Sequence, residues 1–338
     1  MSSPQAITID DIARKAGVAN STVSKALRDD PTISVARCRQ IKKIAEELGY
    51  RPHPMVAALM AQLHSKRRHT DPFALAWLDF WPEGQSSALA PFSKELLQGA
   101  RLRANQLGYN IEVHHVADDG LSAERLRNVL VSRTQWGLII PPVPEKYMYL
   151  PLDLRGFSAV TIGTSLREPV MHRVTSDHYQ GAHLAYARLR DQGINRIGLA
   201  LTAPVNHRNQ GKWSAALLER MQQAPAANRV SPLILTASDG ESEFHDWLRR
   251  EKPEAVLLAE PIIAAWLKGS SFMTGLGHPK PVWLVVEDRR KKIWGVDHQP
   301  EKIGAAAVEM AIGQIHRNER GSPVTPHTLL LENTWIGP

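Results

Sequence analysis

The feature that most constrains this chain is TIDDIARKAGVANSTVSKAL at positions 8–27, which predicts two short helices separated by a turn. Thr8 can cap the first helix, with Asp11 three residues later completing a capping box. Gly17 ends that helix because glycine adopts a positive φ without strain. Apolar positions at helical spacing give the second helix an inner face, formed by Val23, Ala26 and Leu27. Two helices joined in this way are a helix-turn-helix, whose second helix fits the major groove of DNA.

The same pattern also fits an αα-hairpin inside an ordinary helical core, so the residues that follow matter. A third helix is predicted from its N-cap Ser34 to Gly49. Its inward positions are Cys38, Ile41, Ala45 and Leu48. Three helices within about 50 residues can bury a small core of their own. Residues 1–50 are therefore predicted to form a separate domain.

The charge of the chain is concentrated in its first part. Residues 1–70 contain twelve Lys or Arg side chains against six Asp or Glu, an excess that accounts for nearly all of the net charge of +7. A basic module on a nearly neutral body is the electrostatic pattern of nucleic-acid binding. A plain solvated basic surface would not explain why the excess coincides with the helix-turn-helix.

The cysteine content and the hydropathy of the chain indicate in which cellular compartment the protein works. The single cysteine, Cys38, cannot form an internal disulfide and is expected to behave as a small buried hydrophobe. No signal-peptide pattern precedes residue 8, and no apolar run approaches the roughly 18 residues of a membrane span. We therefore expect a soluble cytoplasmic protein, associated with the nucleoid and without a membrane partner.

From Phe73 onward the pattern changes to alternating strands and helices. Apolar runs such as PFALAWLDF and NRIGLALT predict buried strands, and SAERLRNVLVSR and HYQGAHLAYARLRDQG predict amphipathic helices. Repeated β–α–β units imply a parallel sheet with helices on both faces. The predicted fold class is α/β for residues 73–338, in two doubly wound subdomains, about 73–166 with 297–322 and 170–294 with 325–338. Residues 51–72 would be the linker.

Two stretches, TIDDIARKAGVANSTVSKALRDDPTIS and IKKIAEELGYRPHP, closely resemble the headpiece of the LacI/GalR (lactose-repressor/galactose-repressor) transcription factors. Weaker similarity in QLGYNIEV, TSDHYQGAHLAYARLRDQGINRIGLAL and QPEKIGAAAVEMAIGQI extends the resemblance over nearly the whole chain. It implies a helix-turn-helix headpiece, a hinge helix and a periplasmic-binding-protein-like core. It also implies a repressor that binds a pseudo-palindromic operator in double-stranded DNA as a homodimer, controlled by a small-molecule effector such as a sugar or sugar derivative.

The resemblance assigns DNA-binding roles residue by residue. Asn20, Ser21 and Lys25 match the base-reading positions of the recognition helix, where Lys25 could donate to guanine and Asn20 could pair with adenine. Thr8, Thr22, Arg28 and Ser34 are implied as phosphate contacts. In the hinge, Leu59 matches the leucine that the family wedges into the minor groove. A solvated side chain remains the alternative for each exposed residue, and a plain dimer contact for the apolar hinge.

For the effector, the resemblance points to the cleft between subdomains at the carboxyl ends of the strands. It implies Phe92, Arg208 and Asp288 as binding residues, since aromatic rings stack on sugars and charged groups hydrogen-bond to hydroxyls. Trp81 and Trp283 are weaker candidates among the nine tryptophans. The chain departs from the family where Glu260-Pro261 replaces an Asn-Asp pair, so an unusual ligand or a lost response to inducer are both open.

Catalytic and metal patterns are weak. Ser176, Asp177 and His178 are neighbours in sequence, whereas members of a catalytic triad normally converge from separate segments. GxSxG, P-loop, GxGxxG and HExxH motifs are missing from the sequence. His114 and His115 would point to opposite faces of a strand. We therefore expect neither an enzyme nor a cofactor or metal site. The rivals of a regulator are a small-molecule binding protein without operator function and an enzyme on an α/β scaffold.

Overall fold

The computed structural model of this chain describes residues 7–27, 32–48, 50, 73–82, 90–116, 122–236, 240–272, 277–289 and 293–337. The chain divides into two compact units, a small N-terminal one and a large body that takes in most of the residues after 71. Each unit has a hydrophobic core of its own.

Three helices form the N-terminal unit, α1 (Ile9–Ala16), α2 (Asn20–Ala26) and α3 (Val35–Glu47). Their inward side chains build one small core, in which Ile12, Val23 and Ile41 are fully buried. Cys38 is a buried, unpaired member of the same core, as predicted. The predicted three-helix headpiece is confirmed.

The first turns of these helices differ in how they are capped. The carboxylate of Asp11 accepts hydrogen bonds from the backbone N–H of Thr8 at 2.9 Å and from its hydroxyl at 2.7 Å. At α3, the hydroxyl of Ser34 accepts from the N–H of Arg37 at 3.4 Å. Helix α2 begins after Ala19, which has no side-chain acceptor and forgoes about 1 kcal/mol of capping free energy. Packing of the inner face of α2 therefore has to hold that helix in place.

The body alternates strands and helices throughout. In chain order its strands are β1 (Phe73–Asp79), β2 (Tyr109–His115), β3 (Gly137–Ile140), β4 (Ser158–Ile162), β5 (His172–Ser176), β6 (Ile197–Thr202), β7 (Leu233–Leu235), β8 (Ala255–Leu258), β9 (Lys280–Trp283), β10 (Gly295–Asp297), β11 (Thr328–Leu331) and β12 (Thr334–Ile336). Its helices are α4 (Ala90–Gln106), α5 (Ala123–Ser132), α6 (His178–Asp191), α7 (Ala203–Arg208), α8 (Lys212–Gln223), α9 (Gly240–Glu251), α10 (Pro261–Gly269) and α11 (Pro300–Arg317).

The strands form two six-stranded sheets. The first has the order β11-β5-β4-β3-β1-β2 and is parallel throughout. The second has the order β12-β10-β9-β8-β6-β7, and only its β10–β12 pair is antiparallel. Strands such as β3 and β8 are buried along their whole length, which is why they read as unbroken apolar runs. The predicted α/β class with two doubly wound subdomains is confirmed.

The chain crosses between the two sheets three times, after β5, after β10 and after β11. This corrects the predicted subdomain boundaries, because β5 and β11 both belong to the first sheet. Residues 172–176 and 328–331 had been assigned to the second subdomain. The sequence HRVTS of β5 is too polar to read as a buried strand, and β11 is separated from β12 by only Glu332 and Asn333.

Candidate functional site

The outward face of α2 is the candidate DNA-reading surface. Asn20, Ser21 and Lys25 are exposed on it, while Val23 and Ala26 are buried on the opposite side. The amide of Asn20 donates to the carboxylate of Asp10 in α1 at 3.3 Å, so its orientation is held by the first helix. Lys25 makes no hydrogen bond or ion pair with any described residue. Its ammonium group is therefore available to a base edge or a phosphate.

The other predicted DNA contacts differ in how they are placed. Thr8 and Ser34 are exposed at the starts of α1 and α3, where each also takes part in a cap. Thr22 is half-buried on α2. Two predicted contacts, Arg28 and the hinge residue Leu59, lie outside the described residues.

Two of the headpiece cations are paired with carboxylates of the same unit. Arg14 lies 2.8 Å from Asp10, and Lys15 of α1 lies 3.2 Å from Glu47 of α3. Both pairs are exposed, and exposed pairs contribute little to folding stability, typically below about 1 kcal/mol. They nevertheless neutralise part of the basic charge of α1, whereas Lys25 on the reading face has no ion pair among the described residues.

A cavity of about 520 Å³ lies between the two sheets of the body. Segments that follow β1, β4, β6, β8, β9 and β10 contribute to its wall, so it sits at the carboxyl ends of parallel strands from both subdomains, as ligand sites in open α/β sheets do. Most of its wall is apolar or aromatic, with a smaller set of polar groups. This is the location that the sequence predicted for an effector.

The structure brings together some of the predicted effector residues and not others. Phe92 and Arg208 both line the cavity, and Trp81 lies below the guanidinium of Arg208 at 5.6 Å from its ring centre. Asp288 is not among the lining residues, whereas its neighbour Glu287 is. Strand β9 ends at Trp283, so Glu287 and Asp288 lie in the irregular segment after it, where a match to the family's sequence does not fix which side chain faces the cavity.

Trp283 lies elsewhere. It packs against the buried cluster of the second lobe that contains Phe244 and Trp247, and it is not among the residues that line the cavity. It therefore belongs to the core. Trp213 of α8 lines the cavity instead, and the sequence analysis did not single it out.

A pair of histidines at the crossings between the sheets also lines the cavity, of which His298 is buried and His178 half-buried. The hydroxyl of Ser176 lies 3.0 Å from Nδ1 of His298 and 3.4 Å from Nδ1 of His178, and the two rings are 5.2 Å apart. Burial lowers the pKa of His298 to about 4, partly opposed by the backbone carbonyl of Leu284. Burial also lowers the pKa of His178, followed by the effects of His298 and Lys212. Both rings are therefore neutral at physiological pH.

The sequence analysis did not predict this contact, because Ser176 and His298 are 122 positions apart in the chain. The feature that could have predicted the two histidines is their place in the chain, because each follows a strand after which the chain crosses to the other sheet. The neighbouring Asp177 is not part of a catalytic triad. Its carboxylate caps α6 by accepting from the N–H of Gln180 at 3.0 Å.

Glu260 marks the position where the sequence departs from the LacI/GalR pattern. One carboxylate oxygen accepts from the backbone N–H of Thr202 and the other from the Thr202 hydroxyl, each at 2.8 Å. The side chain thus ties the end of β6 to the start of α10. Although Glu260 lines the cavity, both of its oxygens are already engaged by protein groups.

Three residues that line the cavity have fully buried polar atoms without a hydrogen-bond partner among the described residues. These atoms are Nε of Arg208, Nδ2 and Oδ1 of Asn209, and Nε1 of Trp213. Asn209 and Trp213 are only 4 % and 5 % exposed. Leaving such groups unpaired costs about 1–3 kcal/mol each, and buried polar groups are normally satisfied. All three residues line the same cavity, which makes it the candidate site for a polar ligand.

Metal ligation has little support in the part of the chain that the structure describes. Within those residues no group of three or more His, Cys, Asp or Glu side chains could hold an ion. His114 is buried and lies 2.9 Å from the side chain of Gln135, whereas His115 is exposed on the other face of β2. Among the described residues, no helix combines the length and apolar character that crossing a bilayer requires.

The headpiece and the whole chain were each compared with known proteins. Residues 8–53 match the family model of bacterial regulatory proteins of the lacI family. The chain is 22 % identical over 350 residues to the HTH-type transcriptional repressor PurR of Edwardsiella ictaluri, covering 97 % of this chain and 96 % of that protein. It is 24 % identical over 334 residues to the HTH-type transcriptional regulator PtxS of Pseudomonas putida, covering 94 % and 91 %.

Two solved structures share the whole architecture. The complex of the transcriptional regulator CelR with cellobiose superimposes with a TM-score of 0.54 at 19 % identity, covering 98 % of both chains. The lac repressor dimer bound to operator and the anti-inducer ONPF superimposes with a TM-score of 0.53 at 18 % identity, again covering 98 % of both. These similarities establish the fold of the body as periplasmic-binding-protein-like.

The chain thus combines a helix-turn-helix unit with a two-lobed body that contains a cavity. Its headpiece matches the lacI family model over residues 8–53, and its full-length similarity is to bacterial transcriptional regulators. Its relatives are regulators rather than enzymes, in agreement with the expectation that this chain is not an enzyme.

Proposed function

We propose that this chain is a transcriptional repressor that binds a pseudo-palindromic operator as a homodimer and is controlled by a sugar or sugar derivative bound in the cavity. The observation that carries the proposal is a cavity between the two lobes that is lined by aromatic rings and by Arg208, Asn209 and Trp213, whose buried polar atoms have no partner among the described residues. A protein keeps such costly groups where a ligand completes their hydrogen bonds.

The DNA half of the proposal rests on α2. Its exposed polar residues, with Lys25 unpaired among the described residues, have the character of a recognition helix that reads base edges in the major groove. Thr8, Thr22, Arg28 and Ser34 would contact phosphates, and Leu59 would enter the minor groove. One small helical domain reads too few base pairs to bind tightly. A two-fold pair of headpieces on a symmetric operator supplies the rest.

The ligand half rests on the chemistry of the cavity wall. Trp81, Phe92 and Trp213 present aromatic surface that can stack on the apolar faces of a sugar ring. Arg208 and Asn209 offer hydrogen bonds to ring substituents. The solved CelR–cellobiose complex, which shares this fold, also favours a sugar.

Control would act through closure of the two lobes. The hydroxyl of Thr164 in the first lobe donates to the carbonyl of Arg208 in the second at 2.8 Å, and Arg167 donates to the carbonyl of His207 at 2.9 Å. A ligand beside Arg208 would favour one arrangement of these contacts over another. Such a ligand would then change how two headpieces can be placed on DNA. The protein would act in the cytoplasm, on the chromosome.

The test is selection of a binding site from a random pool of duplex DNA by the full chain, with Lys25→Ala as the matched variant. We expect enrichment of a two-fold symmetric sequence that the full chain binds at least about a thousandfold more tightly than random DNA. Enrichment of no sequence would contradict the proposal and would favour a small-molecule binding protein without operator function.

A further inference from the structure

We propose that Asp10 is a positioning residue of the DNA-reading surface, which makes Asn20 selective for adenine by taking up one of the two N–H donors of its amide. The inference rests on the proposed function, because it concerns how the same recognition helix reads an operator. It goes further by assigning a role in base recognition to a residue of α1 and by naming the base that Asn20 reads.

Asp10 of α1 lies beside the first residue of α2. Its Oδ1 accepts a hydrogen bond from Nδ2 of Asn20 at 3.3 Å, and its Oδ2 accepts from Nη2 of Arg14 at 2.8 Å. One oxygen of the carboxylate is thus engaged by the recognition helix and the other by the residue one turn further along α1. Neither Ser21 nor Lys25, the other exposed residues of the reading face, makes such a contact with a described residue. Asn20 is therefore the residue of that face whose side chain α1 holds.

The backbones of both partners are fixed by the core of the same unit. Ile12 of α1 and Val23 of α2 are fully buried, so neither helix can turn about its axis without disrupting that core. Ala19 provides no side-chain cap at the start of α2. The hydrogen bond from Asn20 to Asp10 therefore ties the first turn of α2 to α1, and it fixes the orientation of the amide as well.

The hydrogen bond to Asp10 limits what the Asn20 amide can recognise. An asparagine amide has two N–H donors and one carbonyl acceptor. It can therefore donate twice to guanine, whose major-groove edge presents two acceptors, or donate once and accept once at adenine. Because the carboxylate takes one N–H, Asn20 keeps one donor and its Oδ1, which have no partner among the described residues. This remaining pair matches adenine, which offers the acceptor N7 and the donor N6–H.

The alternative orientation of the amide is disfavoured by the same contact. Exchanging the oxygen and the nitrogen of Asn20 would place its Oδ1 against the Oδ1 of Asp10, and neither atom can donate. The charge of the carboxylate is balanced by Arg14, which lies 2.8 Å from it. Asp10 and Arg14 together therefore add no net charge to the reading surface and do not add to its repulsion of phosphates.

Asp10 also has a plain structural role. A carboxylate in the first turn of a helix interacts favourably with the helix dipole, and Asp10 forms an i,i+4 ion pair with Arg14 on the same helix. Loss of that role would weaken the folded headpiece and would reduce binding to every DNA sequence alike. Loss of the contact with Asn20 would instead change the preference at one base pair in each half-site.

The experiment measures the Kd of the full chain for three kinds of duplex. They are the selected operator, operators in which each A·T pair is replaced in turn by G·C in both half-sites, and random DNA. In the unaltered chain we expect one A·T pair per half-site whose replacement weakens binding about tenfold or more, and Asn20→Ala should abolish that preference. Asp10→Ala should lower the same preference about fivefold without weakening binding to random DNA.

Two further variants separate charge and indirect effects. Glu46→Ala removes an exposed carboxylate from α3 of the same unit, so it is the charge-matched control and should retain the preference for adenine. In the background of Asn20→Ala, the additional change Asp10→Ala should have no effect on base preference, because Asp10 acts through the amide that is then missing.

An unchanged preference in Asp10→Ala would overturn the inference. An equal loss of binding to operator and random DNA would do so too, since a purely structural role predicts that result. An effect at a base pair that Asn20→Ala leaves unchanged would mean that Asp10 contacts DNA directly, again contradicting a positioning role. If Asn20→Ala alters no base preference, the inference fails while an operator-binding regulator stands. Failure of the proposed function is separate, since it would appear as failure to select an operator.

Discussion

The outward face of α2 and the cavity of the body treat their polar side chains in opposite ways. On α2, Asn20, Ser21 and Lys25 are exposed to solvent, where water can hydrogen-bond to their polar groups. In the cavity, Asn209 and Trp213 are almost completely buried with polar atoms that the described residues do not satisfy. An exposed polar side chain costs the folded state little free energy. A buried polar side chain without a partner lowers the free energy of unfolding until a ligand binds to it.

The largest effect that we expect from this difference concerns pH and His298, which is 2 % exposed. Burial lowers its folded-state pKa from 6.5 to about 4, so between these values the unfolded chain binds more protons than the folded one. Stability from the neutral ring is complete above pH 6.5 and is lost as the pH falls toward 4, by on the order of 3 kcal/mol. Chemical unfolding at a series of pH values measures it.

The control for this prediction is a pair of variants. His298→Asn should flatten the acid limb of the stability profile, whereas the exposed His115→Asn should leave it unchanged. A profile for His298→Asn that parallels the unaltered chain would mean that carboxylates, rather than the cavity histidine, set the acid sensitivity.

On the DNA side, Lys25→Ala should weaken binding to the selected operator by about 1–3 kcal/mol and relax preference at one base pair in each half-site. The midpoint of thermal unfolding should not change, because the side chain is exposed and without a partner among the described residues. Binding isotherms on operator and scrambled DNA measure the effect, with the exposed Lys43→Ala of α3 as control. An equal loss on both DNAs would show that Lys25 touches only phosphate.

These two regions also differ in how far the sequence could predict them. The recognition helix is local, so Thr8, Asp11, Gly17 and the apolar spacing of Val23 and Ala26 were enough to place Lys25 outward. The cavity joins segments far apart in the chain. The resemblance pointed to a cleft at the carboxyl ends of the strands, but it could not bring His298 to Ser176. It also chose Asp288 where Glu287 lines the wall, because both residues lie in the irregular segment after β9 ends at Trp283.

A smaller change is expected at Asn209, where a substitution should stabilise the folded protein. Asn209→Leu keeps the number and branching of the side-chain heavy atoms and removes two buried polar atoms that have no partner among the described residues, so it should raise the free energy of unfolding of the ligand-free protein by about 1 kcal/mol. Denaturant unfolding measures the change. Asn195→Leu is the matched control, because Asn195 donates to the carbonyl of Gly193 at 3.0 Å and its loss should destabilise. Destabilisation by both substitutions would mean that Asn209 is satisfied in solution.

The smallest effect is expected at Arg289, an exposed link between the two lobes. It lies 3.1 Å from Glu95 of α4 and 3.3 Å from Asp297, and it also contacts Glu301. Arg289→Ala should lower the free energy of unfolding by less than about 1 kcal/mol, and less again in high salt. Unfolding at two ionic strengths checks this, and a loss that salt does not reduce would contradict a surface role.

The central claim is that the cavity and the reading face are coupled, so that a ligand of the body changes the affinity for DNA. The direct measurement is the Kd of the full chain for its selected operator, with and without a saturating amount of the sugar or sugar derivative that most raises its unfolding midpoint. We predict at least a fivefold change, corresponding to a coupling free energy of about 1 kcal/mol, and an equal change in the ligand's Kd when operator is present. An unchanged operator Kd in a protein saturated with that compound would contradict the claim.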